Sequence, residues 1–251
     1  MQESSLRNAI KLSALCRYRS TEKIWRDDDP WHVHTHAAIH RFIGSASKRI
    51  MPHAACRILN VGSGGEDYGL LPENQTHVDI VDRFINTKRH YAVADAENLP
   101  FEDSSFHMVV CVGSVLNYCS ALEVLAEIAR VLTADGALIL EFETSTSLEF
   151  IGTSDYNQDV TIVNTFYQDT PERIWLYSVK YILRLLQNGG FRVDRVKRVH
   201  VLSALLLRMR IDARFAAKWG PLDRYTSMLP WVNNHGGNVI LSCHKVSSKA
   251  Q

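Results

Sequence analysis

The chain has 251 residues, of which 46% are hydrophobic and 22% charged, and its formal net charge is +1. This length suffices for one well-buried domain, and a near-neutral chain has no overall field that would attract nucleic acid or an anionic membrane. No apolar run approaches the roughly 20 residues that a membrane-spanning helix needs. The five cysteines include no C-x-x-C pair. We therefore expect a reduced, cytoplasmic protein without a membrane partner.

Two helices are predicted in the first fifty residues. Apolar side chains recur at helical spacing over residues 4–19. Asp27-Asp28-Asp29-Pro30 is typical of a helix start, so a second helix is predicted from about Trp31 to Ile50. Residues 1–50 are thus predicted to form a helical N-terminal cap.

From residue 57 short apolar strands alternate with helices or turns. Strands are predicted at residues 57–61, 76–81, 90–94, 108–112 and 137–142. Ser120 and Glu123 form a capping-box pattern that opens a helix through Leu132, and Ala134-Asp135-Gly136 is predicted to end it. Strands that alternate with helices predict a parallel, doubly wound α/β sheet.

The second half of the chain is less regular. Residues 144–170 are predicted as a long loop or partly ordered cap, and a helix is predicted from Thr170 to the glycine stop at 189–190. A strand at 191–201, a helical segment at 203–229 broken at Gly220, and a last strand at 237–244 complete the pattern. No linker is visible, so we predict a single domain.

A glycine-rich loop follows the first strand. Ile58–Val61 runs into Gly62-Ser63-Gly64-Gly65, and glycines at the carboxyl edge of a parallel sheet let the backbone approach a ligand. Asp67 stands where a dinucleotide fingerprint needs its third glycine. The acidic Glu66-Asp67 pair would also repel a pyrophosphate. The loop therefore favours a ligand without phosphate, and a plain strand-to-loop turn is the alternative.

Acidic residues follow at the ends of the next two strands. Asp79 can accept both hydrogen bonds of a ribose diol, and Asp82, three residues on, is its competitor. The carboxylate of Asp95 can accept from the exocyclic amine of adenine, while the N–H of Ala96 can donate to a ring nitrogen. Taken alone, Asp79 or Asp82 would be interpreted as a solvated loop acid, and for Asp95 and Ala96 a polar turn is the alternative.

In order and spacing, residues 58–142 resemble the class I S-adenosylmethionine methyltransferases, close to the ubiquinone-biosynthesis-type small-molecule group. Residues 95–101, Asp-Ala-Glu-Asn-Leu-Pro-Phe, with Ser105-Phe106 are similar to the family's D-A-x-x-L-P-F…S-F-D stretch. Residues 127–132 with Asp135-Gly136 are similar to its E-h-x-R-V-L-x-P-G-G helix and turn. The resemblance implies a Rossmann-like, seven-stranded, mostly parallel sheet with an N-terminal helical segment and a helical insert before the last strand.

The resemblance also implies S-adenosylmethionine as cofactor and S-adenosylhomocysteine as product. Gly62 and Gly64 would pass under the methionine part, Asp79 would hold the ribose, Asp95 and Ala96 would hold adenine, and Gly113 and Ser114 would line the sulfonium side. The full set of predicted cofactor-binding residues is Asn60, Gly62, Ser63, Gly64, Asp79, Asp82, Asp95, Ala96, Gly113 and Ser114.

Three departures from the family pattern are visible. Asn60 replaces the usual acid, Glu66 replaces the third glycine, and Gly69 with Pro72 reduces the first helix to a turn. Within one methyltransferase domain over 1–251, residues 1–50 would be the cap and 56–145 the cofactor-binding core. Residues 146–235 would be substrate-side loops and inserts, and 237–245 the last strand.

The predicted second helix is rich in histidine. His32, His36 and His40 fall on one face, a spacing that can serve a zinc site. No cysteine or acid lies nearby at ligand spacing, so a polar helix face is favoured and no metal is predicted. The catalytic residue is not identified by the sequence. A general base, if the reaction needs one, would come from His34, His36, His40 or His200.

These features predict transfer of a methyl group from S-adenosylmethionine to a small-molecule acceptor. Asn60 and Glu66 leave open a non-catalytic binding module with the same fold. Residues 192–224, with nine basic and three acidic side chains, leave open an enzyme acting on RNA or protein. Nucleic acid is nevertheless not the expected partner, because residues 113–118 lack the N/D-P-P-[YFW] motif of planar-nitrogen methylation. The sequence determines neither the acceptor nor the oligomeric state.

Overall fold

A computed structural model describes residues 2–50, 56–167, 170–228 and 230–246. The chain opens with two helices, α1 (Gln2–Ser20) and α2 (Pro30–Ile50), as predicted. The carboxylate of Asp29 caps α2 by accepting a hydrogen bond from the backbone N–H of Trp31 at 2.9 Å. None of the described helices combines the length and apolar character that a bilayer crossing requires.

Nine strands follow in the part of the chain that the structure describes. In chain order they are β1 (Ile58–Val61), β2 (Gln75–Asp79), β3 (Tyr91–Val93), β4 (Phe106–Cys111), β5 (Leu132–Glu143), β6 (Val160–Tyr167), β7 (Thr170–Tyr177), β8 (Phe191–Val199) and β9 (Asn238–Lys245). Seven of them form one sheet in the order β3-β2-β1-β4-β5-β9-β8. Strands β1 to β5 run parallel, and β9 is antiparallel to both of its neighbours. The predicted seven-stranded, mostly parallel fold is confirmed.

Helices cover both faces of this sheet. Met108 and Val110 of β4 pack on the side of α2, together with Ile39 and Ile43. Val109 and Cys111 of the same strand belong to the cluster on the other face, where α3 (Ala121–Val131) and α4 (Val179–Asn188) pack. Because β4 is buried on both faces, its sequence is a continuous apolar run rather than an alternating one.

Residues 144–177 correct the sequence prediction. Strands β6 and β7 pair antiparallel as a separate two-stranded sheet where a loop and a helix start were predicted. In β7 the side chains of Glu172, Ile174 and Leu176 are buried at alternate positions, which is the period of a strand. The helix begins only after Ser178, whose hydroxyl accepts from the N–H of Tyr181 at 3.1 Å. Thr170-Pro171 is therefore a strand start and not a helix start.

Smaller differences concern the segments beside the core. The predicted helix stop at 134–136 lies inside β5, where Asp135 has a φ of +60°. Between β1 and β2 the chain makes turns and a 3-10 helix at Pro72–Asn74, as the reduced first helix predicts. Before β9 comes the predicted helical insert, with α5 (Val201–Arg208), α6 (Ala213–Ala217), a 3-10 segment (Gly220–Met228) and α7 (Pro230–Asn233).

Candidate active site

The parallel strands place most of the predicted cofactor residues around one cavity. It lies at the carboxyl ends of β1 to β4, where such folds bind ligands. The predicted residues that line it are Gly62, Ser63, Gly64, Asp79, Asp95, Ala96 and Gly113. We name it the glycine-loop cavity. Its volume is about 90 Å³. It is small because Ile24 and Trp25, from the segment between α1 and α2, lie across it. Ile24 Cδ1 packs so close to Gly64 that it would overlap a Cβ at that position.

Asp79 is the last residue of β2 and lines this cavity with only 8% of its surface exposed. Its Oδ2 accepts from the N–H of Gly64 at 2.9 Å, and its Oδ1 accepts from the N–H of Val81 at 3.2 Å. Burial raises the pKa of Asp79, although these N–H groups oppose the change. Asp82, the competitor, is exposed and lies outside the cavity. Of these two acids, Asp79 is the one that lines the cavity.

The Asp95 carboxylate meets a lysine from the N-terminal cap. Lys11 Nζ donates to Asp95 Oδ2 at 2.7 Å and also pairs with Glu97, while the N–H of Glu97 donates to Asp95 Oδ1 at 3.0 Å. These hydrogen bonds raise the pKa of Lys11 against the opposing effect of burial. Lys11 lines the cavity too. The sequence analysis did not identify it, since 84 residues separate Lys11 from Asp95.

Asn60, predicted among the cofactor contacts, does not line the cavity. It is fully buried in β1, and its Nδ2 donates to the backbone oxygen of Glu66 at 2.8 Å and to Gln75 Oε1 at 3.3 Å. The side-chain amide of Asn60 thus contacts the end of the glycine loop from within the sheet. Asn60 positions the loop in this structure.

Two glutamates of β5 organise the loop that follows β4. Glu141 is fully buried, and its Oε2 accepts from the N–H groups of Gly113 and Ser114 at 2.8 and 2.7 Å. Its Oε1 accepts from Asn238 Nδ2 at 2.7 Å. Ser114 Oγ donates to Glu143 Oε1 at 3.0 Å. The signal that was missed is two acids at alternate positions of an otherwise apolar strand.

A second, larger cavity adjoins the first, and we name it the hairpin cavity. Its volume is about 420 Å³. Tyr18, Ile24, Trp25, Gly113 and Tyr118 line both cavities. The hairpin cavity is also lined by Ser114, by the aromatic rings of Trp31 and Phe166, and by the acids Glu143, Glu149 and Glu172. Burial, and next the charge of Glu141, raises the pKa of Glu143 to about 8.

The four histidines predicted as candidate bases lie elsewhere among the described residues. His36 Nε2 lies 3.2 Å from Glu66 Oε2, and His40 Nε2 lies 3.5 Å from Glu66 Oε1. His34 Nε2 lies 3.8 Å from Asp223 Oδ2. None of these three, nor His200, lines either cavity. The polar face of α2, which carries three of these histidines, turns toward the glycine loop and the insert.

His200 is fully buried. Its ring stacks on that of Trp31 with centroids 3.7 Å apart, and its Nε2 lies 2.7 Å from Thr35 Oγ1. Burial holds the pKa of His200 well below its ordinary value, so this ring is neutral. His32 is the histidine of α2 that lines the hairpin cavity, and burial lowers its pKa as well.

The segment that builds the glycine-loop cavity is similar to known proteins. Residues 59–140 match the sequence model of a methyltransferase domain family. That range contains the glycine loop, Asp79, Asp95, Ala96 and the loop after β4. Residues 59–140 thus form a methyltransferase domain of the type predicted from the sequence.

Similarity to a curated relative covers only part of each chain. A demethylmenaquinone methyltransferase of Deinococcus radiodurans is 31% identical over 112 residues, which are 38% of this chain and 46% of that protein. The chain therefore spans about half the length of this curated relative.

Solved structures share the fold. A putative S-adenosylmethionine-dependent methyltransferase from Listeria monocytogenes aligns with a TM-score of 0.57 at 12% identity, over 83% of this chain and 98% of that one. The 1,6-didemethyltoxoflavin-N1-methyltransferase of Burkholderia thailandensis, with 1,6-didemethyltoxoflavin and S-adenosylhomocysteine bound, aligns with a TM-score of 0.54 at 13% identity, over 96% and 89%. At these identities the likeness establishes the fold.

The glycine loop of the methyltransferase domain yields a stability prediction. Gly65 has a φ of +77°, and an added Cβ would overlap the backbone oxygen of Phe84. We expect Gly65→Ala to lower the free energy of unfolding by about 2–4 kcal/mol, from backbone strain plus a clash that backbone cannot relieve easily. Urea denaturation measures this value.

Gly69 supplies the matched control for that substitution. Its φ is +71°, but nothing lies within 4 Å of the position of its added Cβ. Gly69→Ala should therefore cost only the backbone strain, about 1–2 kcal/mol. Equal losses in the two variants would show that the contact with Phe84 does not matter.

Proposed function

We propose that this protein transfers a methyl group from S-adenosylmethionine to a small-molecule acceptor. The observation that carries the proposal is that the acids at the ends of β2 and β3 line one cavity together with the loops after β1 and β4. S-adenosylmethionine supplies a methyl group already activated by a sulfonium, so the protein mainly has to bind, align and exclude water. The glycine-loop cavity and the hairpin cavity would align the cofactor with the acceptor.

The donor set of the glycine-loop cavity fits an adenosine-type cofactor. The buried carboxylate of Asp79 would accept from the ribose hydroxyls, and Asp95 with the N–H of Ala96 would hold adenine. Gly62, Ser63 and Gly64 would contact the methionine part, and Gly113 with Ser114 would line the sulfonium side. No phosphate-binding helix start follows the glycine loop, in agreement with a cofactor that carries no phosphate.

The space available has a consequence for the N-terminal cap. A cavity of about 90 Å³ is below the roughly 300–1,000 Å³ typical of small-molecule pockets. Ile24 and Trp25 lie over it. We infer that residues 21–29 move outward when the cofactor binds and then cover it.

The hairpin cavity is the proposed acceptor site. Its volume of about 420 Å³ lies in the range that small molecules occupy, and it meets the glycine-loop cavity at Gly113. We assign its walls to the cap 1–50 and to the loops and inserts of 146–235. The names of the Deinococcus and Burkholderia proteins refer to small molecules, demethylmenaquinone and 1,6-didemethyltoxoflavin. Both support an acceptor of this class.

The experiment that tests this proposal has two parts. Calorimetric titration of the full chain with S-adenosylhomocysteine should give one saturable site, and S-adenosylmethionine with a labelled methyl group should label one member of a small-molecule acceptor panel. Absence of any binding heat at high micromolar ligand would overturn the cofactor assignment. Binding without turnover on any acceptor, including RNA and protein, would favour the non-catalytic alternative.

Glu143 is the acid best placed to take a proton from the acceptor. It lines the hairpin cavity and accepts a hydrogen bond from Ser114 Oγ, beside Gly113 where the two cavities meet. Only the deprotonated carboxylate can act as a base, so we expect kcat to rise as the pH increases through about 8, the raised pKa of this group. Glu143→Gln should lower kcat by about 100-fold or more and abolish that rise, as measured in a pH–rate profile with the identified acceptor.

Glu149→Gln is the control, because Glu149 lines the same cavity without the contact to Ser114. We expect its pH profile to keep the rise, displaced to lower pH because the charge of Glu149 contributes to the raised pKa of Glu143. A Glu143→Gln enzyme with the wild-type profile would show that Glu143 does not act as the base.

A further inference from the structure

Three side chains meet where α2 crosses the end of the glycine loop. His36 and His40 lie one turn apart on α2, and Glu66 follows the glycines. The nearest ligand atoms of the three side chains all lie within 4.8 Å of one another. Their side chains are 29%, 35% and 30% exposed, so a hydrated ion can reach them. The sequence pattern lacked an acid for these histidines, and the fold supplies one.

The separations of these atoms lie in the range that metal coordination requires. Ligand atoms about 2.0–2.2 Å from a tetrahedral zinc ion lie about 3.3–3.5 Å apart. His36 Nε2 is 3.2 Å from Glu66 Oε2, and His40 Nε2 is 3.5 Å from Glu66 Oε1. The contact between His36 and Glu66 is also within hydrogen-bond distance, so an ion would take the place of that hydrogen bond. The three groups are thus spaced to surround an ion.

We propose that His36, His40 and Glu66 bind a divalent transition-metal ion of the zinc class. Two imidazoles and one carboxylate, with water in the fourth position, form a ligand set that zinc commonly uses. The neighbouring Asp67 is already engaged, since it pairs with Lys88 at 2.8 Å and with His77 Nε2 at 3.1 Å. The ligand set is therefore the three side chains named.

The surroundings of Glu66 hold its carboxylate in place. The N–H of Tyr68 donates to Glu66 Oε1 at 3.2 Å, and Asn60 Nδ2 donates to the backbone oxygen of Glu66 at 2.8 Å. The Trp25 ring packs beside His36, with centroids 4.9 Å apart. Such outer contacts orient metal ligands. None of the three ligands lines either cavity, so the ion would join α2 to the glycine loop without touching cofactor or acceptor.

Zinc titration of the full chain tests this site. After treatment with a chelator and its removal, calorimetry with zinc chloride should show one equivalent bound with micromolar or tighter affinity. His40→Ala and Glu66→Gln should each weaken that binding by more than about 100-fold, since loss of outer-sphere partners alone costs 10–100-fold. His90→Ala, which removes an exposed histidine elsewhere, should bind zinc as the wild type does.

Cobalt(II) provides a second readout that requires no variant to fold. In the wild type its visible absorption should have the intensity of four- or five-coordinate cobalt, and zinc should displace it. Zinc should also raise the midpoint of thermal unfolding of the wild type and not that of Glu66→Gln. A weak, six-coordinate cobalt spectrum, or zinc binding unchanged by both ligand substitutions, would overturn the site. Neither result depends on whether S-adenosylhomocysteine binds.

Discussion

Asp79→Ala should weaken the binding of S-adenosylhomocysteine by about 100-fold or more, as measured by calorimetric titration. The substitution removes the proposed acceptor for the ribose hydroxyls. It also leaves the N–H groups of Gly64 and Val81 without the carboxylate that now accepts from them. An unsatisfied polar group in a pocket costs about 1–3 kcal/mol, and 1.4 kcal/mol corresponds to tenfold in affinity. The two ribose hydroxyls, which lose their acceptor in the complex, give the expected magnitude.

Asp82→Ala is the matched control, because Asp82 has the same chemistry three residues away and is exposed. Its affinity for S-adenosylhomocysteine should remain within about twofold of the wild type. Asp79→Asn keeps the size of the side chain but retains only one oxygen, so it should fall between the wild type and Asp79→Ala. Strong loss in Asp82→Ala with normal binding by Asp79→Ala would reverse the assignment. Circular dichroism of each variant checks that the fold persists.

Glu141→Ala should lower the free energy of unfolding by about 3 kcal/mol or more. The fully buried carboxylate accepts three hydrogen bonds, from Gly113, Ser114 and Asn238. Alanine leaves these donors without their acceptor, and each such donor costs about 1–3 kcal/mol. The measurement is urea denaturation at neutral pH. Because Gly113 lines both cavities, the affinity for S-adenosylhomocysteine should fall as well.

Glu141→Gln separates hydrogen bonding from charge at this position. The glutamine oxygen can accept from the two backbone N–H groups, and its amide can donate to Asn238 Oδ1 if the Asn238 amide turns over. Burial raises the pKa of Glu141, which shows that its environment disfavours the charge. We therefore expect Glu141→Gln to stay within about 1 kcal/mol of the wild type. Equal destabilisation by Gln and Ala would show that the negative charge itself is required.

Local sequence patterns were sufficient to predict the strands at the centre of the fold. The strands β1 to β5 were predicted because buried parallel strands are short apolar runs and their ends carry glycine or acid. The juxtaposition of Asp79, Asp95 and Gly113 then followed from topology, since the carboxyl ends of parallel strands share one edge. The reduced segment between β1 and β2 also followed from Gly69 and Pro72.

The hairpin β6–β7 was predicted wrongly because local cues competed with tertiary pairing. Thr170-Pro171 is an acceptable helix start, and the polar residues before it are typical of loops. Burial of Glu172, Ile174 and Leu176 on one face outweighs those cues, and that burial depends on elements far away in the chain. Because the hairpin lines the proposed acceptor cavity, the shape of that cavity could not be predicted.

By itself, then, the sequence predicted the α/β class, the parallel strands of the core and the residues at their carboxyl edge, because these depend on periodicity and short motifs. Only the tertiary structure decided that Asp79 and not Asp82 lines the cavity, that Lys11 pairs with Asp95, and that Glu141 supports the loop after β4. It also brought Glu66 to His36 and His40. The physical reason is that each of these contacts joins groups whose directions are set by packing between elements, which no local pattern records.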